Sequence, residues 1–107
     1  MQIKQPKTAS AFLVKAKQLQ EERGKDYDRG AERSFDKTAK AFSAITGKEV
    51  TGAEVALLLQ ILKDVRQFSA DRFHGDSVED CIAYASLKAE LLYQQYEANI
   101  ESDKLLV

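Results

Sequence analysis

Apolar residues recur along this 107-residue chain at intervals of three and four, the period of helices that bury one face. Thr8 or Ser10 can cap a first helix running to about Arg23, with Phe12, Ala16 and Leu19 as its apolar stripe and Pro6 marking the end before it. Gly24 is the expected stop, because glycine takes the positive φ of a helix terminus without strain. A polar connector over residues 25–30 leads to a second helix from about Ala31 to Thr46, burying Phe35, Ala39, Phe42 and Ile45 and ending at Gly47. The third helix has the clearest start: Thr51 caps, Glu54 stands three residues on as capping-box partner, and Val50 and Val55 form a hydrophobic staple. From Val55 to Leu62 apolar residues cover nearly every side, which predicts a central helix enclosed by protein. After a turn over residues 71–75, a fourth helix starts at Asp76 or Ser77 and continues to about Asn99, about 34 Å at 1.5 Å per residue. Val78, Ile82, Ala85, Ala89, Leu92 and Tyr96 line one of its faces, and Tyr84, Leu87 and Leu91 an adjacent one. That is more apolar surface than one neighbour covers, so its far half, with Ile100, Leu105, Leu106 and Val107, is expected to join another subunit.

The pattern therefore predicts an all-α fold, a four-helix bundle with a long C-terminal helix, oligomeric, in a single helical domain over residues 1–107 with loose ends at 1–7 and about 101–107. Composition agrees: 44% hydrophobic and 31% charged residues suit one soluble domain rather than a disordered chain. No segment approaches the roughly 20 apolar residues of a membrane span. The apolar patch at residues 11–14 is cut off by lysine too soon for a secretory signal. A single cysteine, Cys81, set in an apolar run that reads as core, allows no internal disulfide, and a cytoplasmic location follows as the default.

The net charge of −1 conceals a division. Residues 1–50 hold eleven Lys/Arg against seven Asp/Glu, and residues 51–107 hold five against ten. In the acidic half, Ala56, Leu59, Lys63 and Arg66 are three to four apart, so two cations continue an apolar face. Asp76, Asp80 and Tyr84 follow at spacings of four on the next helix. An antiparallel hairpin would set Arg66 opposite Asp80 and Lys63 opposite Tyr84. Two readings stand side by side. Asp80 can neutralise a cation and pin the hairpin, with Asp76 and Glu79 as a capping pair at the helix start. Alternatively, the set forms a polar pocket for an anionic or phosphorylated ligand, and Lys25, Asp26 and Tyr27 in the connector form its charged lip. Glu21 and Glu22 could add carboxylates, although such exposed pairs are usually just solvated.

Other chemistry is less supported. One histidine and one cysteine cannot build a thiolate or imidazole zinc site, so any metal would be a hard cation on carboxylates. His74 has no matched nucleophile, Cys81 reads as a small core residue, and no glycine-rich phosphate loop is present. The cations at positions 33, 37 and 40 are diluted by Glu32 and Asp36, which argues against nucleic-acid binding.

The run from Glu54 to Arg66, with its Lys63-x-x-Arg66 pair, resembles a family of small tailed-phage proteins, and so does Asp80-Cys81-Ile82-Ala83-Tyr84-Ala85. The family's Lys-Asp-Tyr-Gly turn and following aromatic are matched by Lys25-Asp26-Tyr27 and Phe35, with Asp28 in place of the glycine. The likeness covers about residues 20–92 and implies a phage origin, action in the host cytoplasm, and Lys63, Arg66, Asp80 and Tyr84 as a linked set. It brings no activity with it. A looser likeness is to the all-α nucleoside-triphosphate pyrophosphatases of the MazG type, oligomeric bundles that hold magnesium on Glu-x-x-Glu and Glu-x-x-Asp helices. Asp76, Glu79 and Asp80 would be the metal ligands, but Lys63 and Arg66 stand where those enzymes place glutamates. The leading expectation is thus a non-enzymatic homo-oligomer without cofactor, binding a phosphorylated small molecule or a host protein. The alternative is a magnesium-dependent pyrophosphatase.

Overall fold

The computed structural model describes the backbone of residues 5–27 and 30–105, and the side chains of residues 5–22 and 34–104. Four helices follow one another: α1 (Ala9–Tyr27), α2 (Gly30–Thr46), α3 (Gly52–Ser69) and α4 (Gly75–Leu105). α3 and α4 form an antiparallel hairpin with the most extensive helix–helix contact, α2 packs on α3, and α1 packs on α4. The bundle measures 52 × 29 × 24 Å, and α4, about 46 Å at 1.5 Å per residue, sets its long axis.

Thr8 caps α1: its hydroxyl accepts from the Ala11 amide at 3.2 Å and its carbonyl from Phe12 at 3.0 Å. The helix does not stop at Gly24. It runs through to Tyr27, so the expected connector is shorter and Lys25, Asp26 and Tyr27 lie on helical backbone. Glycine in a helix costs only about 1 kcal/mol relative to alanine, which the surrounding Gln, Glu, Arg and Lys tolerate. It ends a helix where its φ turns positive, as at Gly47 (φ 74°), which does terminate α2.

α3 begins with the expected capping box. The Thr51 amide donates to Glu54 Oε1 at 2.9 Å, and the Glu54 amide donates to Thr51 Oγ1 at 3.1 Å. Gly52 brings this end against α2, with the Asp36 carboxylate occupying the space that a Cβ would fill. α3 therefore meets α2 at its middle, and the last turns of α2 extend beyond the contact. Phe35 and Ala39 are buried as expected, but Phe42 is 44% and Ile45 84% exposed, which corrects the longer buried face.

The core consists of Phe35, Ala53, Ala56 and Leu91, with Val55, Leu59, Tyr84 and Leu87 packed against it. Phe35 meets Tyr84 edge to face, ring centroids 6.0 Å apart. α3 is not enclosed. Leu57, Leu58, Ile61, Leu62, Val65 and Phe68 are all exposed, Leu58 at 66% and Phe68 at 87%. Its residues fill the helix circumference with apolar groups, but the described residues supply neighbours for one side only.

α4 starts at Gly75 and continues to Leu105, longer at both ends than the sequence suggested. His74 caps it: its carbonyl accepts from the Val78 amide at 3.2 Å, and its Nδ1 lies 2.6 Å from the hydroxyl of buried Ser77. Gln67 ties the preceding turn, accepting from the His74 amide at 2.6 Å and donating to the Arg72 carbonyl at 3.0 Å. Phe73 packs edge-on against Phe12 of α1, centroids 6.3 Å apart. At the N-terminal end, Pro6 is buried and Gln5 lies beside Gly75, so this part of the expected loose end is packed. Residues 1–4, 106 and 107 lie outside the described residues. Among the described residues, no helix is long and apolar enough to cross a membrane.

Candidate functional site

The polar chemistry lies along the seams where α1 and α3 pack on α4. Lys63 Nζ is 2.9 Å from Asp80 Oδ2, with 15% and 20% of the two side chains exposed. On the other side of α4, the Lys15 ammonium of α1 is paired with the carboxylate of Glu79, a residue only 5% exposed. Farther along α4, Gln20 of α1 donates to the Ser86 hydroxyl and to the Ala83 carbonyl, the latter at 3.4 Å. On the α3 side, Lys88 Nζ donates to Gln60 Oε1 at 2.8 Å.

Cys81 is at this seam rather than in the apolar core. Its thiol is half-buried and donates to Asp64 Oδ1 at 3.2 Å. Burial, reinforced by the Asp64 hydrogen bond and charge, raises its pKa from 9.0 to about 11, against the opposing pull of Gln60 and Lys88. The protonated thiol predominates at neutral pH, and a protonated thiol is a poor nucleophile.

The expected constellation is only partly assembled. Lys63 and Asp80 meet, but Lys63, not Arg66, takes the carboxylate. At 100° per residue the face of α3 turned to α4 runs through Ala56, Gln60, Lys63 and Gln67, which leaves Arg66 about 60° off it. Arg66 is exposed. Tyr84 is not opposite Lys63: it packs on Phe35 in the core. The side chains of Lys25, Asp26 and Tyr27 lie outside the described residues.

The three carboxylates of the metal alternative also diverge. Asp76 is exposed in the first turn of α4, where the helix dipole favours an anion. Glu79 faces Lys15, not Asp76 as a capping partner, and Asp80 faces Lys63. Among the described residues, no three His, Cys, Asp or Glu side chains are grouped so as to hold a metal ion.

Sequence reasoning misses Lys15, although the signal is present. It sits three residues after Phe12 and four before Leu19, on the stripe that packs inward. Two open grooves flank the start of α3, of about 480 Å³ beside Asp36, Lys40 and Gln94, and about 360 Å³ beside Glu54, Lys88 and Leu92. Neither is lined by a residue of the expected site.

A family model described as Domain of unknown function (DUF6378) matches residues 11–92, from the first turn of α1 to the middle of α4. The chain belongs to that family. No curated protein and no solved structure matches it. The DUF6378 segment contains the whole α3–α4 seam, including Lys63, Asp80, Asp64 and Cys81, and it ends at Leu92 before the outer part of α4.

Proposed function

We propose that this chain is a non-enzymatic phage protein that acts in the host cytoplasm by contact with other proteins, as a homo-oligomer. The phage origin and place of action rest on the resemblance of the Lys63-x-x-Arg66 and Asp80-to-Ala85 segments to the tailed-phage family. The observation that carries the binding mode is the contrast between satisfied charge and unsatisfied apolar surface. Lys63, the inward cation best placed for a phosphate, already has Asp80 at 2.9 Å. An incoming phosphate would have to displace that carboxylate and then sit beside it, at a cost in like-charge repulsion. Large apolar side chains, in contrast, stand in the open on α3 and on outer α4, where Leu92, Tyr93 and Tyr96 are at least half exposed. Ion-paired seams with open apolar faces suit a protein partner better than a small anion.

The magnesium pyrophosphatase has less support. Two of its three carboxylates face ammonium groups, whose positive charge opposes a divalent cation. Thermal unfolding in a panel of nucleoside mono-, di- and triphosphates, with and without magnesium, tests the proposal. The expected outcome is no stabilisation and no pyrophosphate release. Stabilisation that Lys63→Ala abolishes would replace the protein partner by a phosphorylated ligand. Magnesium-dependent release of pyrophosphate lost in Asp80→Asn would make the chain an enzyme.

A further inference from the structure

We infer that the outer face of α3 is the surface on which two copies of this chain pair, antiparallel and about a two-fold axis. The inference rests on the protein-contact reading above and names the partner for one of its surfaces.

Leu58, Ile61, Val65 and Phe68 are spaced three, four and three apart, the a and d positions of a two-helix seam. At 100° per residue all four lie within about 40° of the direction opposite Lys63, the residue that α3 turns towards α4. One side of the helix is thus committed within the bundle, and the seam is on the other. Leu57 and Leu62 widen it on its two flanks, both exposed.

The area also fits a second copy. The six side chains leave on the order of 700 Å² of surface open, above the roughly 300–600 Å² patch of an ordinary monomer and close to the about 800 Å² per partner of a stable complex. Flanking residues would supply the remainder.

Direction follows from the ends of the seam. A two-fold axis midway between Ile61 and Val65 sets Leu58 of one copy against Phe68 of the other and Ile61 against Val65. The same register carries Glu54 of each copy past Ser69, the last residue of the other's α3, to the turn that holds Arg72, and both residues are exposed in the single chain. Lys48 and Glu49 lie near one end of the seam, and Arg66 and Asp71 near the other, so neither end carries a strong opposing charge. Parallel pairing would instead stack Glu54 on Glu54, and it would align the two helix dipoles. The seam is separate from outer α4, whose Leu92, Tyr93 and Tyr96 remain open in such a dimer.

Sedimentation equilibrium of the full chain tests this, with helicity by circular dichroism as the control for folding. Wild type is expected at twice the 12.0 kDa chain mass. Ile61→Lys and Val65→Glu, each alone, should raise the dimer dissociation constant at least about 100-fold with helicity unchanged, because each buries two unpaired charges. Mixing the two variants should restore a heterodimer, since the ammonium introduced by Ile61→Lys in one copy then meets the carboxylate introduced by Val65→Glu in the other. A monomeric wild type overturns the inference together with the homo-oligomer of the proposed function, and leaves contact with a host protein to the nucleotide panel. A dimer that withstands Ile61→Lys but dissociates with Tyr96→Lys also overturns it, placing the contact on α4.

Discussion

The pairing of Lys15 with Glu79 offers the sharpest test of how α1 is held on α4. The Glu79 side chain is 7% exposed and that of Lys15 17%, so removing either partner strands a charge in a poorly hydrated seam. The two removals are not equivalent. Lys15→Met leaves a carboxylate with little access to water, and a cost of about 3 kcal/mol follows, at the lower end for a broken buried pair. Glu79→Gln leaves a neutral amide beside an ammonium whose stem reaches the surface and can turn outward, so the cost falls to about 1–2 kcal/mol. Lys15→Met combined with Glu79→Gln removes both charges and nearly keeps the volume, and should lie within about 2 kcal/mol of wild type. The coupling is therefore at least about 2 kcal/mol, to be read from urea unfolding followed by helical circular dichroism. If Lys15→Met shifted stability by less than about 0.5 kcal/mol, the pair would be a solvated contact and α1 would be held by its other contacts, Phe12, Ala16 and Gln20 among them.

Three further outcomes follow from the geometry. Gly52→Ala should destabilise by about 1 kcal/mol, because its Cβ meets the Asp36 carboxylate and lies 3.3 Å from the Asp36 amide nitrogen. In an Asp36→Ala background the loss should shrink, and an unchanged loss in unfolding free energy would refute the contact. Thr51→Ala should cost about 1 kcal/mol through loss of the 3.1 Å cap to Glu54, with the unfolding midpoint as readout. Cys81, with its pKa raised to about 11, should alkylate with iodoacetamide at pH 8 about tenfold more slowly than a free thiol, the smaller thiolate fraction outweighing its greater nucleophilicity. Asp64→Asn removes two of the causes of that rise and should speed the reaction. The sign for stability is also set: a raised folded pKa favours the fold below pH 9, and that contribution fades as pH rises towards 11.

The helices are legible where local chemistry decides. Thr51 with Glu54 marks the start of α3, and Gly47 the end of α2, because a capping box and a positive φ act within one turn. Gly24 misleads for the same reason in reverse: nothing local distinguishes a glycine that stops a helix from one that a long helix absorbs. The candidate site is half legible. Helical spacing puts Lys63 and Asp80 on the facing sides of the hairpin but gives each the wrong partner, Tyr84 and Arg66, because three residues of spacing assign Arg66 the same face when it lies about 60° away. The periodicity that sets Lys15 on the inward stripe of α1 does not reveal its partner Glu79, because that depends on how α1 is laid across α4.

α3 shows most clearly what hydrophobic pattern can and cannot specify. A helix apolar on every side must be surrounded, and the pattern does not say by which chain. Ala53 and Ala56 are buried because small residues let α3 pack closely against its neighbours. The bulky Leu58, Ile61, Val65 and Phe68 lie on the other side, where their volume would be needed to fill a seam between two helices rather than to line a crowded core. Val55 and Leu59 do pack on the core, but fully buried positions held by alanine with Leu58 and Phe68 largely exposed are the reverse of what a monomeric helix requires. That arrangement is what a helix requires when its larger apolar face belongs to an interface. The same division explains why the ion pairs gather on the inner side: Lys63 and Asp80 fix the orientation of α3 on α4 and so fix which way the bulky face points. Charge in this chain sets the register of the bundle, and the exposed apolar face is the surface proposed for the second copy.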